Sequence, residues 1–416
     1  HSGISPTQAE IINVTRIVKV TSYNTSYRGY VCCYLGSTSD VDYVEFYMIG
    51  YNSTYKHGIE LRTTAADVTN FAYCSVWGHA TSNSPFYLYG SRNDVIDNCV
   101  MYDCDEEFRL YGSSYHNIIT NNILMKNHDY GIYSARADNT LTGNTVTSCS
   151  SYGFYISASD SMGTFENNVA HSNFSYGFNF QNIPVGVAEN LSSWRNNNYG
   201  VYLLSAAVIF NDLTCFGNSN FNFYLRQSRT GGDTWILNGD TTYSTGTGML
   251  VYGICSFSKF TNCEFGVASG IKTAHTQDIY FNPNGFGQLT FINSKLASAT
   301  PVYHTNYGLA GSQVECEDLN QVQYNDKAWY KYGIVVRDSS IKKTGSYSIR
   351  FDQFWVADDW LEYEIQIPVK SGESTVISAW LRKNGSYTSA NRPKIKLSGM
   401  GIPATEDQMS DVTDTW

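Results

Sequence analysis

Between Asp103 and Arg109 the chain reads Asp-Cys-Asp-Glu-Glu-Phe-Arg, which places four carboxylates within five residues and a guanidinium two positions on. Like charges this close repel, and the usual relief is a raised pKa on one member, so that a single residue type supplies both a proton donor and an acceptor. Such a pair cleaves glycosidic bonds when its carboxyls stand roughly 5 Å apart (retaining) or roughly 6.5–9.5 Å apart (inverting). Glu107 or Glu106 is the candidate donor, Asp105, Asp129 or Glu60 the candidate partner, and Arg109 the group that positions the sugar. A variant chemistry abstracts a proton α to a uronate carboxyl. Arg109, Lys126 or His128 would act as base, and Asp103, Asp105 and Glu106 could hold a neutralising Ca²⁺. The rival reading is a solvated acidic turn or a structural Ca²⁺ site.

Asp129 and Glu60 are remote from this run in sequence, so the chemistry requires a fold that brings them beside it. Asparagines at Asn98, Asn121, Asn144, Asn167 and Asn190 are separated by four intervals of 23, and Asn211 follows after 21. A second register runs behind them: Phe108-Arg109-Leu110, Ile132-Tyr133-Ser134, Phe154-Tyr155-Ile156, Phe178-Asn179-Phe180, Val201-Tyr202-Leu203 and Phe223-Tyr224-Leu225. Four of these triplets follow Tyr-Gly, at Tyr130, Tyr152, Tyr176 and Tyr199. Two registers in step define a repeat, and a repeat of this length defines a solenoid. Its runs alternate apolar and polar residues between turns, so each unit is a coil of short strands. The Asn of each coil is expected to stack on itself as a buried ladder.

Side chains in a strand alternate between core and solvent. Reading the outer members of each triplet inward leaves one outward column, Glu60, Tyr87, Arg109, Tyr133, Tyr155, Asn179, Tyr202 and Tyr224. A parallel column stands two residues on: Arg62, Tyr89, Tyr111, Ala135, Ser157, Gln181, Leu204 and Arg226. Matched residues of adjacent coils lie about 4.8 Å apart, and those two coils apart about 9.6 Å, separations that bracket both carboxylate geometries. The columns make an exposed strip of rings and amides suited to sugars, which offer C–H faces and hydroxyls. Tyr87, Tyr111, Tyr133, Tyr155, Asn179, Tyr202 and Arg62 are its candidate contacts. Tyr also favours strands for packing reasons alone.

The pattern of Asn, an apolar residue two places on, then Tyr-Gly-Ile-x-Leu, resembles the right-handed parallel β-helix repeat of pectate-lyase-like and periplasmic copper-protein (NosD)-like proteins, over roughly residues 44 to 300. The resemblance implies an all-β, right-handed single-stranded parallel β-helix. That fold hosts lyases, hydrolases, epimerases, phage tailspikes and adhesins, so it does not choose a function.

The chain of 416 residues divides into a cap over 1–43, the β-helix over 44–310 and a partial antiparallel β-sandwich, jelly-roll-like, over 311–416. The sandwich is read from alternating runs such as Ser346–Phe351, Leu361–Ile367, Thr375–Leu381 and Lys394–Leu397. Eight coils fall between Gly58 and Arg226, a rod of roughly 40 Å. Charged residues are only 15% of the chain and the net charge is −10, which argues against a nucleic-acid partner or an anionic membrane face. No apolar run is long enough to insert into a membrane. The opening His1-Ser2-Gly3 and the final Asp414-Thr415-Trp416 suggest a processed or excised piece. Ten cysteines without Cys-x-x-Cys read as isolated buried thiols, with a few disulfides as the alternative and zinc disfavoured. Sequons stand at Asn13, Asn24, Asn52, Asn173, Asn190 and Asn384, with Asn190 expected inside the ladder where no glycan fits. Trp77 and Trp194 are expected in core or cap, and Trp355 and Trp360 flank a sandwich loop where one of them could meet a glycan.

These readings converge on an extracellular protein that binds a polysaccharide along the Tyr-lined face and cleaves it at the acidic coil. Hydrolysis leads, lyase or epimerase chemistry follows, and no cofactor beyond Ca²⁺ is implied. The competing class is a non-catalytic cell-surface or virion appendage that uses the β-helix as a rigid glycan-binding rod. Oligomeric state is not legible.

Overall fold

The structure, a computed structural model, describes residues 84–233 apart from 106, 107 and 137, most of 18–83, and mainly strands thereafter; residues 1–17, 365–393 and 409–416 lie outside it. Every third strand pairs with its counterpart one coil on. The result is three long sheets, one of 12 strands beginning at Val18–Thr21 and two of 14 beginning at Val31–Cys33 and Ser39–Asp42. Pairing is parallel from Val18 as far as Gln313–Glu317. No helix occurs among the described residues. The chain is an all-β parallel solenoid. Three of its strands lie between Val18 and Asp42, in the stretch read as a cap, and they pair in parallel with the coil that follows.

The sheet that carries the triplets runs Ile59–Leu61, Phe86–Tyr89, Phe108–Tyr111, Ile132–Ser134, Phe154–Ser157, Phe178–Gln181, Tyr199–Leu204 and Phe221–Arg226, the eight coils expected. The inward residues are fully buried. Phe86 stacks on Phe108 at 5.4 Å and Phe154 on Phe178 at 5.0 Å, so the core is itself a column of rings. Burial of each such side chain stabilises by about 1.5–3 kcal/mol, and the repeat of that gain along the axis makes a long, thin molecule stable.

Strands end at left-handed turn residues that recur coil by coil. One row contains Asn98, Asn121, Gly143, Asn167, Asn190 and Asp212 (φ 49° to 69°), and another contains Asp103, Lys126, Ser148, Ser172 and Arg195 (φ 53° to 59°). Asn adopts this conformation more readily than other residues with a Cβ. The 23-residue Asn period is therefore mostly a turn signal. Asn121, Asn167 and Asn190 are exposed, which corrects the expectation of a buried ladder there. The sequon at Asn190 is accordingly open, whereas the one at Asn173 is buried.

The buried ladder lies one residue later. Asn122, Asn144 and Asn168 are fully buried; Asn122 Nδ2 donates to Asn144 Oδ1 at 3.0 Å and Asn144 Nδ2 to Asn168 Oδ1 at 3.2 Å. Each Oδ1 also accepts the backbone N–H of the preceding coil's residue, at 2.8 Å from Cys99, 3.0 Å from Asn122 and 3.0 Å from Asn144. Asn173, Asn196 and Asn218 form a second ladder, and Asn117 and Asn139 a third. Ladders of this kind satisfy backbone groups that a buried turn would otherwise orphan.

Each Gly of Tyr-Gly is required by close approach. A Cβ on Gly153 would lie 2.6 Å from Gly177 O, and one on Gly177 would lie 2.7 Å from Gly200 O and 2.2 Å from Ser193 Oγ. Cys33, Cys74, Cys99, Cys104, Cys149, Cys215 and Cys263 are free and buried and Cys32 is free and exposed, in line with isolated thiols. Trp77 and Trp194 are half-buried, with Trp194 stacked between His171 at 4.6 Å and Phe216 at 5.6 Å, so these two belong to neither core nor cap. Beyond His304 the described strands also pair antiparallel, as Ile334–Asp338 with Ser348–Asp352 and Lys327–Tyr330 with Leu361–Glu364. Thr375–Leu381, Trp355 and Trp360 lie outside the described residues.

Candidate functional site

The outward column is aligned as expected. Glu60 pairs in register with Tyr87, Tyr87 with Arg109, Arg109 with Tyr133, Tyr133 with Tyr155, Tyr155 with Asn179, Asn179 with Tyr202 and Tyr202 with Tyr224. Residues remote in sequence are thus neighbours on one surface.

Much of that surface is covered. Glu60 and Asn179 are wholly buried and Tyr87, Tyr202 and Tyr224 are no more than 8% exposed, whereas Tyr89 and Tyr111 of the parallel column are 39% exposed. Over the later coils the cover comes from the tyrosines of Tyr-Gly, which form a ladder of their own. Tyr130, Tyr152, Tyr176 and Tyr199 stack in sequence at 5.0, 4.6 and 4.8 Å, with planes within 17°. This ladder leans on the column: Tyr176 lies 4.9 Å from Tyr202 and Tyr199 lies 4.8 Å from Tyr224. The expected continuous exposed strip is therefore corrected to a packed double row over the later coils. Sequence reasoning used Tyr-Gly only as a register mark; its constant spacing was the signal for this second row.

The first coils are different. Arg62 Nε donates to Glu60 Oε1 at 2.5 Å, and the second carboxyl oxygen of Glu60 is buried without a hydrogen-bond partner. The Arg62 guanidinium lies over Tyr89 at 4.3 Å. Arg109 is placed among Tyr111, Tyr133 and Tyr87 at 4.8, 5.4 and 5.8 Å. His57 stacks on Tyr87 at 4.0 Å. A guanidinium held against ring faces is oriented and partly desolvated. Tyr89 and Tyr111 stand 6.1 Å apart and tilted by 35°, so their faces are not consumed by each other.

The acidic coil is described in part. Asp105 is half-buried and Asp103 exposed, while Glu106 and Glu107, the candidate proton donors, lie outside the described residues. His128, one coil on, stands between the two aspartates, with Nδ1 3.5 Å from Asp105 and Nε2 3.4 Å from Asp103. Lys126 Nζ donates to Tyr102 OH at 3.0 Å. Asp129 is half-buried beside Tyr130 at the foot of the ladder. Asp103, Asp105, His128 and Asp129 thus gather at one turn. Glu60 lies two coils away and engages Arg62 instead. Among the described residues no group of three or more His, Cys, Asp or Glu is arranged to hold a metal ion.

The profile of the family described as "Periplasmic copper-binding protein (NosD)" matches residues 32–191. No curated protein matches in sequence. Among solved structures the chain is similar to the periplasmic alginate epimerase AlgG in a variant form (13% identity, TM-score 0.38, 70% of this chain and 63% of that one). It is also similar to the catalytic domain of a GH87 α-1,3-glucanase variant in complex with nigerose (12%, 0.40, 76% and 70%). A third is the Dettilon tailspike protein (10%, 0.38, 76% and 72%). The chain spans about 63% of the epimerase's length. The likeness is one of fold.

Proposed function

We propose that the protein binds a polysaccharide along the outer face of the triplet-bearing sheet and cleaves it by glycoside hydrolysis at the acidic coil, working outside the cytoplasm. The observation that carries this reading is the pair Tyr89 and Tyr111, exposed, with Arg62 and Arg109 seated against them. Rings beside fixed donors, on a rigid sheet, are the mixture of apolar and polar contacts that a sugar requires. Asp105, with Glu106 or Glu107, is the candidate carboxylate pair, and Asp129 the alternative partner. Because Glu60 is wholly buried against Arg62, we assign it to positioning that guanidinium rather than to proton transfer. Elimination or epimerisation at the same turn, with His128 or Arg109 as base, is the chemical variant. We assign residues 311–416 to an appended β-sandwich.

The burial of Glu60, Tyr87, Asn179, Tyr202 and Tyr224 favours a second reading, a stiff non-catalytic glycan-binding rod, because it gives five of the column's eight positions a packing role. A panel of polysaccharides separates the two when both new reducing ends and the absorbance of unsaturated uronate are followed, since only elimination makes that chromophore. Hydrolysis predicts reducing ends without chromophore, abolished in E106Q/E107Q with binding retained. Y89A/Y111A should weaken binding at least about tenfold, each ring contact being worth about 0.5–1.5 kcal/mol beyond its area. An unchanged affinity in Y89A/Y111A overturns the site.

A further inference from the structure

The ladder of Tyr130, Tyr152, Tyr176 and Tyr199 changes what this face can recognise. Because consecutive rings stack with their planes nearly parallel, the faces of each ring are taken up by its neighbours. Sugar stacking on these faces is therefore closed. The rings are half-buried, so what they leave at the surface is an edge, whose one hydrogen-bonding group is the phenol oxygen. A polar row runs alongside, fixed coil to coil by its backbone: Ser151 N donates to Asp129 O at 3.1 Å, Ser175 N to Ser151 O at 2.8 Å and Asn198 N to Ser175 O at 3.0 Å. The two rows run side by side, since each polar residue immediately precedes its tyrosine in the chain.

Each of these coils therefore presents a phenol hydroxyl beside a serine or asparagine, repeated at the 4.6–4.8 Å ring spacing. Charge on this stretch of the face is confined to its two ends, Asp129 before it and Arg226 beyond it, the latter donating to Tyr202 OH at 3.4 Å. Beyond Asp129 the flanking and outward positions are Ser151, Ser175, Asn198, Tyr155, Asn179 and Gln181, whose amide accepts from Tyr155 OH at 3.1 Å. The neighbouring first coils, with Arg62, Arg109 and the acidic turn, are dense in charge by contrast.

We propose that the paired rows Ser151/Tyr152, Ser175/Tyr176 and Asn198/Tyr199 form a rail that holds an extended, uncharged stretch of glycan, one sugar unit per coil, through hydroxyl hydrogen bonds instead of ring stacking. The proposal rests on the glycan reading above and adds the class of sugar. The coil spacing is close to the length one pyranose adds to an extended chain, so identical contacts recur without a change of register. A charged polymer would lose solvation along Ser151, Ser175 and Asn198 and gain a counter-charge only at the Arg226 end. A protein partner would leave a row of hydroxyls unmatched.

The test uses the whole chain and short and long oligosaccharides from neutral series (β-1,4-glucan, β-1,3-glucan, α-1,3-glucan and β-1,4-mannan), with alginate and pectate fragments beside them. Affinity is measured by calorimetry at low and high salt for the wild type and for Y152F/Y176F/Y199F, which keeps the rings and removes the hydroxyls. Expected is a neutral ligand whose affinity rises with length and does not fall with salt. In the Phe variant the gain with length disappears, about tenfold for each hydroxyl removed, equivalent to about 1.4 kcal/mol. Short oligosaccharides held by the first coils are unaffected. Circular dichroism and melting that match the wild type establish that the variant is folded, and S175A/N198A provides a second route to the same weakening. Length dependence that survives in both variants overturns the rail while leaving glycan binding intact, as does binding confined to the charged fragments. Failure of every glycan to bind the wild type overturns the glycan reading and the rail with it.

Discussion

Asp94 occupies the position that Asn117 and Asn139 occupy one and two coils on, and it is fully buried. Its Oδ1 accepts Thr69 N at 3.0 Å and its Oδ2 accepts Thr63 Oγ1 at 2.6 Å, while its own N–H donates to Asn117 Oδ1 at 3.0 Å. Burial pushes its carboxyl from 3.8 up to about 6, against the opposing pull of those hydrogen bonds. A group whose pKa is raised by folding contributes stability that is fully present below its unfolded value and is lost as pH rises through the folded one. Between about pH 4 and pH 6 the loss is about two pH units at about 1.36 kcal/mol each, about 3 kcal/mol. Asp94→Asn stays neutral throughout and extends the ladder by one residue. Its stability should match the wild type near pH 4 and exceed it by about 3 kcal/mol above pH 7, a shift of about 1 M in urea midpoint for a slope of about 3 kcal/mol/M. The assay is urea unfolding followed by tryptophan fluorescence across that range, wild type against variant. A gap that stays constant with pH, or a variant less stable at pH 8, refutes the reasoning.

Two further outcomes follow from the packing. Gly177→Ala would force its Cβ against Ser193 Oγ and Gly200 O and should cost about 3 kcal/mol or more, read as a lowered urea midpoint, whereas Ser172→Gly, at an exposed left-handed turn, should be neutral or slightly stabilising. Alkylation under native conditions, mapped by peptide mass, should label Cys32 and leave Cys74, Cys99, Cys104, Cys149 and Cys215 unmodified until the chain is unfolded, since burial pushes the Cys149 thiol up to about 12 and those of Cys104 and Cys215 higher still.

How much of this was legible depended on whether a signal was local to one coil or made between coils. The triplets Phe-Tyr-Ile and Val-Tyr-Leu fix which residues face inward by alternation alone, so the column from Glu60 to Tyr224 could be read directly. The asparagines could not be sorted, because turn and ladder positions are adjacent, as in Asn121-Asn122 and Asn167-Asn168, and a period of 23 runs through Asn144 as easily as through its neighbour Gly143. Burial of Glu60 and Asn179 was equally hidden. An outward position reads as exposed until it is known that Arg62 lies on the one and that Gln181 donates back to the other at 3.2 Å. Gathering of Asp103, Asp105 and His128 followed from coil spacing once the register was set.

Because every ladder closes only on the coil before and the coil after, no single turn of the chain is irreplaceable in kind. Excising the segment between successive left-handed residues, from Asn122 through Gly143, takes out one complete storey. Ile119 would then meet Phe165 in the interior, as Leu141 meets it now, and Cys99 N would find Asn144 Oδ1 where it now finds that of Asn122. Growth or shortening by whole storeys would alter the length of the rod and the number of ring pairs along it without redesigning any joint, a modularity that lets span be adjusted independently of chemistry.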